Sequence, residues 1–244
     1  MAAFHIHFGV HDFLIRLKKF LDRKLVRFGS FRRLSPMSRV FGYDRGPQSV
    51  GRYYIDKFIA EHSADIHGHV LEVAERKYTQ RHGGNRVTKS DVLHVWPDNP
   101  VATIVADLTK ADEIASDSFD CLILTGVLQC IYDFRAALKH SRRILKPNGV
   151  LLATMSGISQ ISRPDMDRWG EYWRFTTASA QLLFEEFFPR DHLEVKAHGN
   201  VFAAMALLYG LSSRELRKEE LEFHDRDYEV QITVRAVKPA SGET

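Results

Sequence analysis

The sequence predicts a Rossmann-like α/β domain: a mostly parallel seven-stranded sheet with an antiparallel C-terminal strand and helices on both faces. Three observations lead to this prediction. Short apolar runs alternate with stretches of helical periodicity along most of the chain. A strand, a helix and a second strand follow each other tightly between Phe119 and Met155, which is typical of a parallel βαβ unit. Finally, alternating apolar residues over 228–237 indicate a half-exposed antiparallel strand near the edge.

The predicted elements alternate along the chain. The predicted strands are His69–Ala74, Arg86–Val92, Ala102–Ala106, Phe119–Leu124, Val150–Met155, Leu193–Ala197 and Tyr228–Val237. The predicted helices are Val50–His62, Asp133–Leu145 with Asp133 as its cap, Thr176–Phe188 with Thr176 or Thr177 as its cap, and Val201–Leu211.

Composition limits the class of protein. The chain has 244 residues, of which 44% are apolar and 27% are charged, so it has enough apolar residues for a sizeable core. No apolar run approaches the length of a transmembrane helix, and we expect no signal peptide. The two cysteines, Cys121 and Cys130, lie in apolar surroundings, which favours buried thiols in a reducing cytoplasm.

Charge divides the chain into two parts. The net charge is +3, but residues 1–40 contain nine Lys and Arg against Asp12 and Asp22, hence +7, and the remainder is therefore −4. We therefore predict a basic N-terminal arm over residues 1–40 and an α/β domain over residues 41–244. Within the arm, apolar residues recur every three or four positions over residues 13–28. Such a helix is suited to an anionic membrane or a protein partner, or its apolar stripe packs on its own domain or a second copy.

The chain lacks the sequence motifs of several functional classes of protein. The chain contains neither the GxxxxGK[ST] loop of P-loop nucleotidases nor the GxSxG elbow of serine hydrolases. Its twelve histidines are scattered without ligand spacing, so no metal is expected. The basic arm lacks aromatic interleaving of the kind found in RNP motifs, so nucleic-acid binding is not favoured.

A resemblance to a known family lies in the middle of the chain. Its residues are Ala106-Asp-Leu-Thr, then Asp117-Ser-Phe-Asp-Cys-Leu-Ile-Leu-Thr-Gly-Val-Leu-Gln, then Arg143-Ile-Leu-Lys-Pro-Asn-Gly-Val-Leu-Leu. This order and spacing resemble class I S-adenosylmethionine (SAM) methyltransferases, in particular the methyltransferase type 11 group. Phe41-Gly-Tyr-Asp-Arg-Gly and Trp169-Gly-Glu-Tyr-Trp-Arg-Phe-Thr further resemble a bacterial subgroup found in glycan-related contexts.

The resemblance implies SAM as cofactor and assigns residues to it. These are Glu72 and Ala74 in the first-strand motif, Asp91 at the end of the second strand for the ribose hydroxyls, Asp107 and Leu108 beside adenine, and Thr125 after the fourth strand. Ligands of open α/β sheets bind beyond the carboxyl ends of the strands, which agrees with this assignment.

The first-strand loop departs from the family. The family has an acidic residue followed by GxGxG, whereas this chain reads Glu72-Val-Ala-Glu-Arg-Lys-Tyr-Thr and has no glycine before Gly83. About a dozen residues separate the first two strands, too few for the usual helix. Three alternatives remain open: SAM bound through a remodelled loop with Arg76, Tyr78 or Arg52 on its carboxylate, a different nucleotide-like ligand, or loss of cofactor binding.

Residues 165–174 contain the candidate catalytic and acceptor-binding residues. Asp165 and Asp167 are candidate general bases, although loop carboxylates are commonly solvated or cap helices. Trp169, Tyr172, Trp173 and Arg174 are candidates for an aromatic and cationic platform, or fill core beneath a lid. Asn200, at the end of a later strand, is a further candidate for the same pocket.

Two functions therefore stay in view. The first is a SAM-dependent methyltransferase of biosynthesis, acting on a small-molecule or glycan-linked acceptor by O- or N-methylation. The second is a catalytically inactive methyltransferase-like domain for binding or scaffolding. In either case we expect a cytoplasmic monomer or homodimer, free or attached to a membrane surface through its arm.

Overall fold

A computed structural model describes residues 29–242. Within this range residues 29–36 belong to one unit, where Gly29–Phe31 forms a single 3₁₀ turn, and residues 37–242 form another. The predicted amphipathic helix over residues 13–28 lies outside the described residues. None of the helices in the described range is long and apolar enough to cross a membrane.

The larger unit is built on one seven-stranded sheet with the strand order β3-β2-β1-β4-β5-β7-β6. Its strands are β1 Gly68–Val73, β2 Val87–His94, β3 Ile104–Val105, β4 Phe119–Thr125, β5 Leu145–Ser156, β6 Leu193–His198 and β7 Gln231–Val237. All neighbouring pairs among β1 to β5 are parallel, whereas β7 runs antiparallel to both β5 and β6. The predicted fold class is confirmed.

Six α-helices accompany the sheet in the described residues. They are α1 Val50–Glu61, α2 Phe134–Ile144, α3 Arg163–Arg168, α4 Thr177–Glu185, α5 Val201–Tyr209 and α6 Lys218–Glu222. Three of the longer helices begin at predicted or recognisable caps, because Ser49, Asp133 and Thr176 each accept a hydrogen bond from a backbone N–H in the first turn. Gly210, with φ 72°, ends α5 in the left-handed conformation.

Both faces of the sheet are covered, as its alternating residues require. Val70, Cys121 and Leu152 face one side, where they pack with Ile55, Phe58 and Ile59 of α1. The other side carries the larger core, formed with α2 and α4; its strand members include Leu71, Leu122, Leu124, Leu151 and Ala153. Because β1, β4 and β5 bury both of their faces in the middle of the sheet, their central residues are mostly apolar, and the sequence therefore predicts these strands.

Two strands differ from the prediction. β7 is not half-exposed, because residues 231–234 are all buried between β5 and β6 with packing on both faces. β2 runs to His94, two residues beyond the predicted end, because Leu93 and His94 pair with Ile104 and Val105 of β3. The second difference changes which residues stand at the ligand-binding edge.

No full helix connects β1 to β2. A five-residue π-helical segment, Thr79–Gly83, and a 3₁₀ turn, Gly84–Arg86, make the connection instead. The shortened connection therefore agrees with the spacing in the sequence, and the usual helix N-terminus at this position is replaced by an irregular turn.

Candidate active site

An open cavity of about 940 Å³ lies at the carboxyl ends of the parallel strands. Strand order reverses between β1 and β4, so the connections on either side diverge there and leave a crevice. The cavity is lined by residues that follow β1, β2, β3 and β4, by the segment from α3 to Tyr172, and by Arg52 of α1. Its volume is that of a typical cofactor or small-ligand site.

Glu72 stabilises the loop after β1 through hydrogen bonds and does not line the cavity. Its side chain is 1% exposed and accepts hydrogen bonds from the backbone N–H groups of Tyr78 and Thr79, at 3.1 and 2.9 Å, and from the Thr79 hydroxyl at 2.8 Å. Burial raises the pKa of the Glu72 carboxyl, and these three donors oppose the effect. Glu72 therefore shapes the site without lining it.

Ala74 lies at the turn itself and lines the cavity. It adopts a φ of 68°, the left-handed conformation, at the position of the first glycine of the family motif. Its N–H donates to the Leu93 carbonyl at 2.9 Å, and its carbonyl accepts from Asn99 Nδ2 at 2.7 Å. The chain thus keeps the glycine-type backbone turn although the glycine is absent.

Tyr78 is fully buried in the core beneath α1. Its hydroxyl donates to Asp56 Oδ1 at 2.8 Å and accepts from Arg52 Nη1 at 2.7 Å. Burial raises the pKa of the Tyr78 phenol. The structure thus places Tyr78 behind Arg52, which lines the cavity, so Tyr78 positions that guanidinium rather than standing in the cavity itself.

Asp91 lies inside β2, opposite Leu71 of β1, and not at the end of the strand. Its carboxylate lies 2.6 Å from His69 Nε2 and 3.0 Å from Lys89 Nζ, and it accepts from the Thr103 hydroxyl at 2.8 Å. Burial acts to raise the pKa of Asp91, but these partners outweigh it and lower the pKa. The described cavity wall contains His94, Val95 and Trp96 at this edge instead of Asp91. The difference arises because β2 continues past Asp91.

Asp107, Leu108 and Thr125 do line the cavity. Asp107 is exposed, and its Oδ1 accepts from the Thr109 N–H and hydroxyl at 2.9 and 2.8 Å, which leaves Oδ2 directed to solvent or a ligand. Leu108 is buried beside it, and Thr125 ends β4. These three residues meet at one edge because parallel strands present their carboxyl ends together.

The two candidate bases, Asp165 and Asp167, lie on different sides of the short helix α3. Asp165 lines the cavity, whereas Asp167 is 71% exposed and pairs with Arg163 at 3.7 Å, away from the described lining residues. Two positions along a helix correspond to a rotation of about 200°. Of the two, Asp165 alone is therefore placed for acid–base chemistry.

Of the four candidate platform residues, two line the cavity and two do not. Trp169 and Tyr172 line the cavity. Trp173 turns towards the core, where its indole N–H donates to the Ile131 carbonyl at 3.2 Å and its ring meets Phe134. Arg174 donates to the Gln160 carbonyl at 2.9 Å and pairs with Glu171 at 3.0 Å. Trp173 and Arg174 therefore support the segment and do not belong to the described wall of the cavity.

Asn200 also has a structural role, because it caps a helix and joins it to a later segment. Its Oδ1 accepts from the Ala203 N–H at 2.9 Å and so caps α5. Its Nδ2 donates to the carbonyls of Glu220 and Phe223 at 2.7 and 2.8 Å. With these bonds the side-chain amide is saturated, and Asn200 is absent from the described lining.

Sequence reasoning missed an aromatic contact across the cavity mouth. The Trp96 and Trp169 rings stack with centroids 4.2 Å apart, and the Arg168 guanidinium lies 4.6 Å from the Trp169 centroid while it pairs with Asp98 at 2.5 Å. We call Trp96, Asp98, Arg168 and Trp169 the aromatic clasp. It joins the segment after β2 to the segment after α3, which lie 70 residues apart, so local sequence patterns carried no signal of it.

Other lining residues were also missed. Glu75 follows Ala74, and Gln129 and Tyr132 lie just after β4. Tyr132 follows an apolar strand closely, and this position could have indicated from the sequence that it lines the cavity. No group of His, Cys, Asp and Glu side chains in the described part of the chain is arranged to hold a metal ion.

Comparisons with known proteins agree with this geometry. Residues 46–153, just under half of the chain, match the family model described as a methyltransferase domain. No curated protein sequence matches significantly.

Two solved structures share the fold at low identity. One, from Haloferax volcanii, is a candidate methyltransferase in complex with the Trm112 methyltransferase activator; it is 15% identical with a TM-score of 0.50, over 78% of this chain and 93% of that chain. The other is a candidate sarcosine dimethylglycine methyltransferase from Galdieria sulphuraria, 14% identical with a TM-score of 0.51, over 77% and 86% of the two chains. With the strand order and the cavity at the strand ends, these likenesses show that the chain has the fold of class I SAM-dependent methyltransferases, and residues 46–153 match the methyltransferase domain model.

Proposed function

We propose that this protein transfers a methyl group from SAM to a small-molecule or glycan-linked acceptor, on oxygen or nitrogen. One observation carries the proposal: a single cavity is lined by the glycine-like turn at Ala74, by Asp107 and Leu108, and by Asp165. A bisubstrate reaction needs such an arrangement, because both reactants must be held in one space.

The cofactor side of the cavity fits SAM, the cofactor of this family. The turn at Ala74 presents only a methyl group and so leaves the backbone accessible, and Asp107 keeps a carboxylate oxygen without a partner among the described residues. We propose that Ala74, Asp107, Leu108 and Thr125 hold SAM, together with Glu75 as the carboxylate nearest the shortened loop. When bound, SAM supplies an electrophilic methyl group on sulfur.

On the acceptor side, this chain's own residues bind the acceptor and hold its proton. Asp165 has the position to accept a proton from a hydroxyl or amine. Trp169 and Tyr172 form the wall that excludes water, and Glu171, whose side chain is 5% exposed, holds the segment by accepting from the Ser162 N–H at 2.8 Å. Positioning and exclusion of water are the main contributions we assign to the protein.

Thermal unfolding with S-adenosylhomocysteine tests the proposal. A ligand at 100 times its dissociation constant adds about 2.7 kcal/mol of stability, which corresponds to roughly 5–10 °C for a chain of this size. We expect such a rise, and adenosine monophosphate at the same concentration serves as the control nucleotide. An unchanged melting temperature at millimolar S-adenosylhomocysteine would overturn the proposal.

A second candidate function is a methyltransferase-like domain that binds or scaffolds without catalysis. The observation in its favour is the end of β2, where His94, Val95 and Trp96 replace an acid and the aromatic clasp crosses that end. The same titration separates the two functions. A well-folded chain that is stabilised by neither S-adenosylhomocysteine nor SAM would support the binding domain.

We also propose that residues 13–28 contact a membrane surface or a protein partner in the cytoplasm. The support is the basic, apolar-striped sequence of this segment. Co-sedimentation with anionic liposomes of the full chain, compared with a chain that lacks residues 1–36, tests membrane attachment. Greater pelleting of the full chain is expected, and equal pelleting of both would leave a protein partner as the alternative.

A further inference from the structure

The acceptor-side wall of the cavity contains two carboxylates without a cationic partner among the described residues, Asp133 and Asp165. Three of its four charged side chains have partners: Asp133 accepts from the Ala136 N–H at 3.0 Å, Arg168 pairs with Asp98 at 2.5 Å, and Glu171 pairs with Arg174 at 3.0 Å. Among the described residues, no hydrogen bond or ion pair engages the carboxylate of Asp165. The wall therefore carries two negative charges without a cationic partner, and Asp165 differs from Asp133 in that its carboxylate also has no hydrogen bond among the described residues.

The charge of Asp165 acts inside the cavity. Burial raises the pKa of the half-buried Cys130 thiol to about 12, and the negative charges of Asp165 and Glu171 add to this rise. Both Cys130 and Asp165 line the cavity. A charged ligand in this space therefore lies close to the carboxylate of Asp165, which is exposed on the cavity wall.

Two exposed tyrosines flank the same wall. Tyr132 is 70% exposed and Tyr172 is 51% exposed, and their rings meet edge to face with centroids 5.4 Å apart. The Tyr172 N–H donates to the Gln129 carbonyl at 2.8 Å, which ties the two segments together. Exposed aromatic faces beside a carboxylate attract cations through the ring quadrupole.

Gln129 adds an acceptor that has no donor. Its side chain is buried in the cavity wall, and its Nε2 donates to the Ser156 hydroxyl at 3.1 Å. Its Oε1 has no hydrogen-bond partner among the described residues. Buried amide oxygens are nearly always paired, so this oxygen is an exception; it has almost no exposed surface, and a ligand donor reaches it only after the Gln129 side chain rotates.

We propose that this wall binds a protonated primary or secondary amine, with Asp165 as its counter-ion and Tyr132 and Tyr172 as its aromatic flank. The inference rests on the proposed methyltransferase function, because it names the chemical class of the acceptor. A neutral alcohol would lack the ion pair with Asp165, and an anionic acceptor would be repelled by it.

Three probes of similar size test the charge preference. Calorimetric titration of the full chain compares 2-phenylethylamine, 2-phenylethanol and 3-phenylpropanoate at pH 7, with and without S-adenosylhomocysteine. We expect the amine to bind about tenfold more tightly than the alcohol, and the carboxylate to bind most weakly. Equal or tighter binding of the alcohol would overturn the proposal.

Two substitutions on the same helix locate the effect. Asp165→Asn removes the charge with little change in shape and should weaken amine binding about tenfold while leaving alcohol binding unchanged. Asp167→Asn removes an equal charge from the outer side of α3 and should leave both unchanged. The same loss in both variants, or in neither, would contradict the role of Asp165.

The cofactor titration keeps the two ideas distinguishable. Stabilisation by S-adenosylhomocysteine without discrimination between amine and alcohol would overturn this inference and leave the proposed function standing. Absence of any stabilisation by S-adenosylhomocysteine would overturn the proposed function itself.

Discussion

Ala74 adopts a backbone conformation that normally belongs to glycine. For a residue with a β-carbon, the left-handed region costs roughly 1–2 kcal/mol. The hydrogen bonds to Leu93 and Asn99 hold Ala74 there, because they join the turn to the end of β2 and to the loop that follows. The shape of the first-strand turn is therefore maintained by its neighbours rather than by its own residue.

A substitution to glycine should relieve this strain. We expect Ala74→Gly to raise the free energy of unfolding by about 0.5–1 kcal/mol, because the relieved strain exceeds the entropy cost of glycine. Urea unfolding measures the change. The control is Ala60→Gly in the exposed side of α1, which should lower stability by about 1 kcal/mol. A loss of stability in both variants would contradict the strain at Ala74.

Substitutions of Asp91 and Asp107 should have different effects, the first on the stability of the fold and the second on cofactor binding. Asp91→Asn removes a charged hydrogen-bond acceptor from His69 and Thr103 and should lower stability by about 1.5–3 kcal/mol, while S-adenosylhomocysteine still stabilises the variant. Asp107→Asn should leave the unliganded melting temperature nearly unchanged and reduce the shift caused by the ligand. Differential scanning fluorimetry of both variants measures both quantities. If Asp91→Asn instead reduced the ligand-induced shift and left the unliganded melting temperature unchanged, Asp91 would belong to the cofactor site.

At the scale of elements, the aromatic clasp is the contact that joins the two sides of the cavity mouth. It depends on a stack between Trp96 and Trp169 and on an ion pair between Arg168 and Asp98. The ion pair is half-exposed and contributes little by itself, so the stacked rings provide most of the attraction. We infer that α3 is held at the cavity mouth chiefly by Trp169.

The stack has a direct spectroscopic consequence. The chain contains three tryptophans, and Trp173 packs separately against Phe134. Two indoles 4.2 Å apart should couple and produce a paired circular-dichroism signal, which Trp173→Phe retains and Trp96→Phe abolishes. Trp96→Phe should also cost about 0.5–1.5 kcal/mol through loss of the favourable ring pair. Absence of the paired signal from the unsubstituted protein would mean that the clasp is open in solution, and persistence of the signal in Trp96→Phe would mean that it does not come from this stack.

At the scale of the whole molecule, ion pairs and hydrogen bonds to carboxylates set the acid limit of stability. Burial acts to raise the pKa of Asp91 and Asp120, but hydrogen bonds from His69 to Asp91 and from Lys146 to Asp120 outweigh it, and both pKa values are lowered. A hydrogen bond from Arg45 lowers the pKa of Glu215 in the same direction. Glu72 is the opposite case, since burial raises its pKa.

The expected pH dependence follows from these directions. A carboxylate with a lowered pKa in the folded state stabilises the protein above its unfolded pKa, and this contribution is lost as the pH falls through the folded value. The midpoint of urea unfolding should therefore fall as the pH drops below about 4, and Asp91→Asn should make that fall shallower. A midpoint that rises in acid would show that groups such as Glu72 dominate instead.

The fold was largely predictable from the sequence because its signals are local. Buried parallel strands are continuous apolar runs, and helix caps such as Asp133 and Thr176 lie next to the elements that they begin. Strand ends were less predictable, as the extension of β2 to His94 shows, because pairing with β3 decides where a strand stops.

The candidate site was predictable only in part. Asp107, Leu108 and Thr125 could be assigned because they follow strands in a known order. Asp91 illustrates the opposite case, because only the register between β1 and β2 reveals that it bonds to His69. The separation of Asp165 from Asp167 required the orientation of α3.

The amino-acid sequence by itself thus determined the class of fold, the shortened connection after β1 and the edge of the sheet at which the cavity lies, because periodicity and spacing act over short stretches of chain. Only the tertiary structure decided the left-handed turn at Ala74, the position of Asp165 on the cavity wall and the aromatic clasp. Each of these depends on contacts between segments far apart in sequence, whose energies appear only when the sheet brings them together.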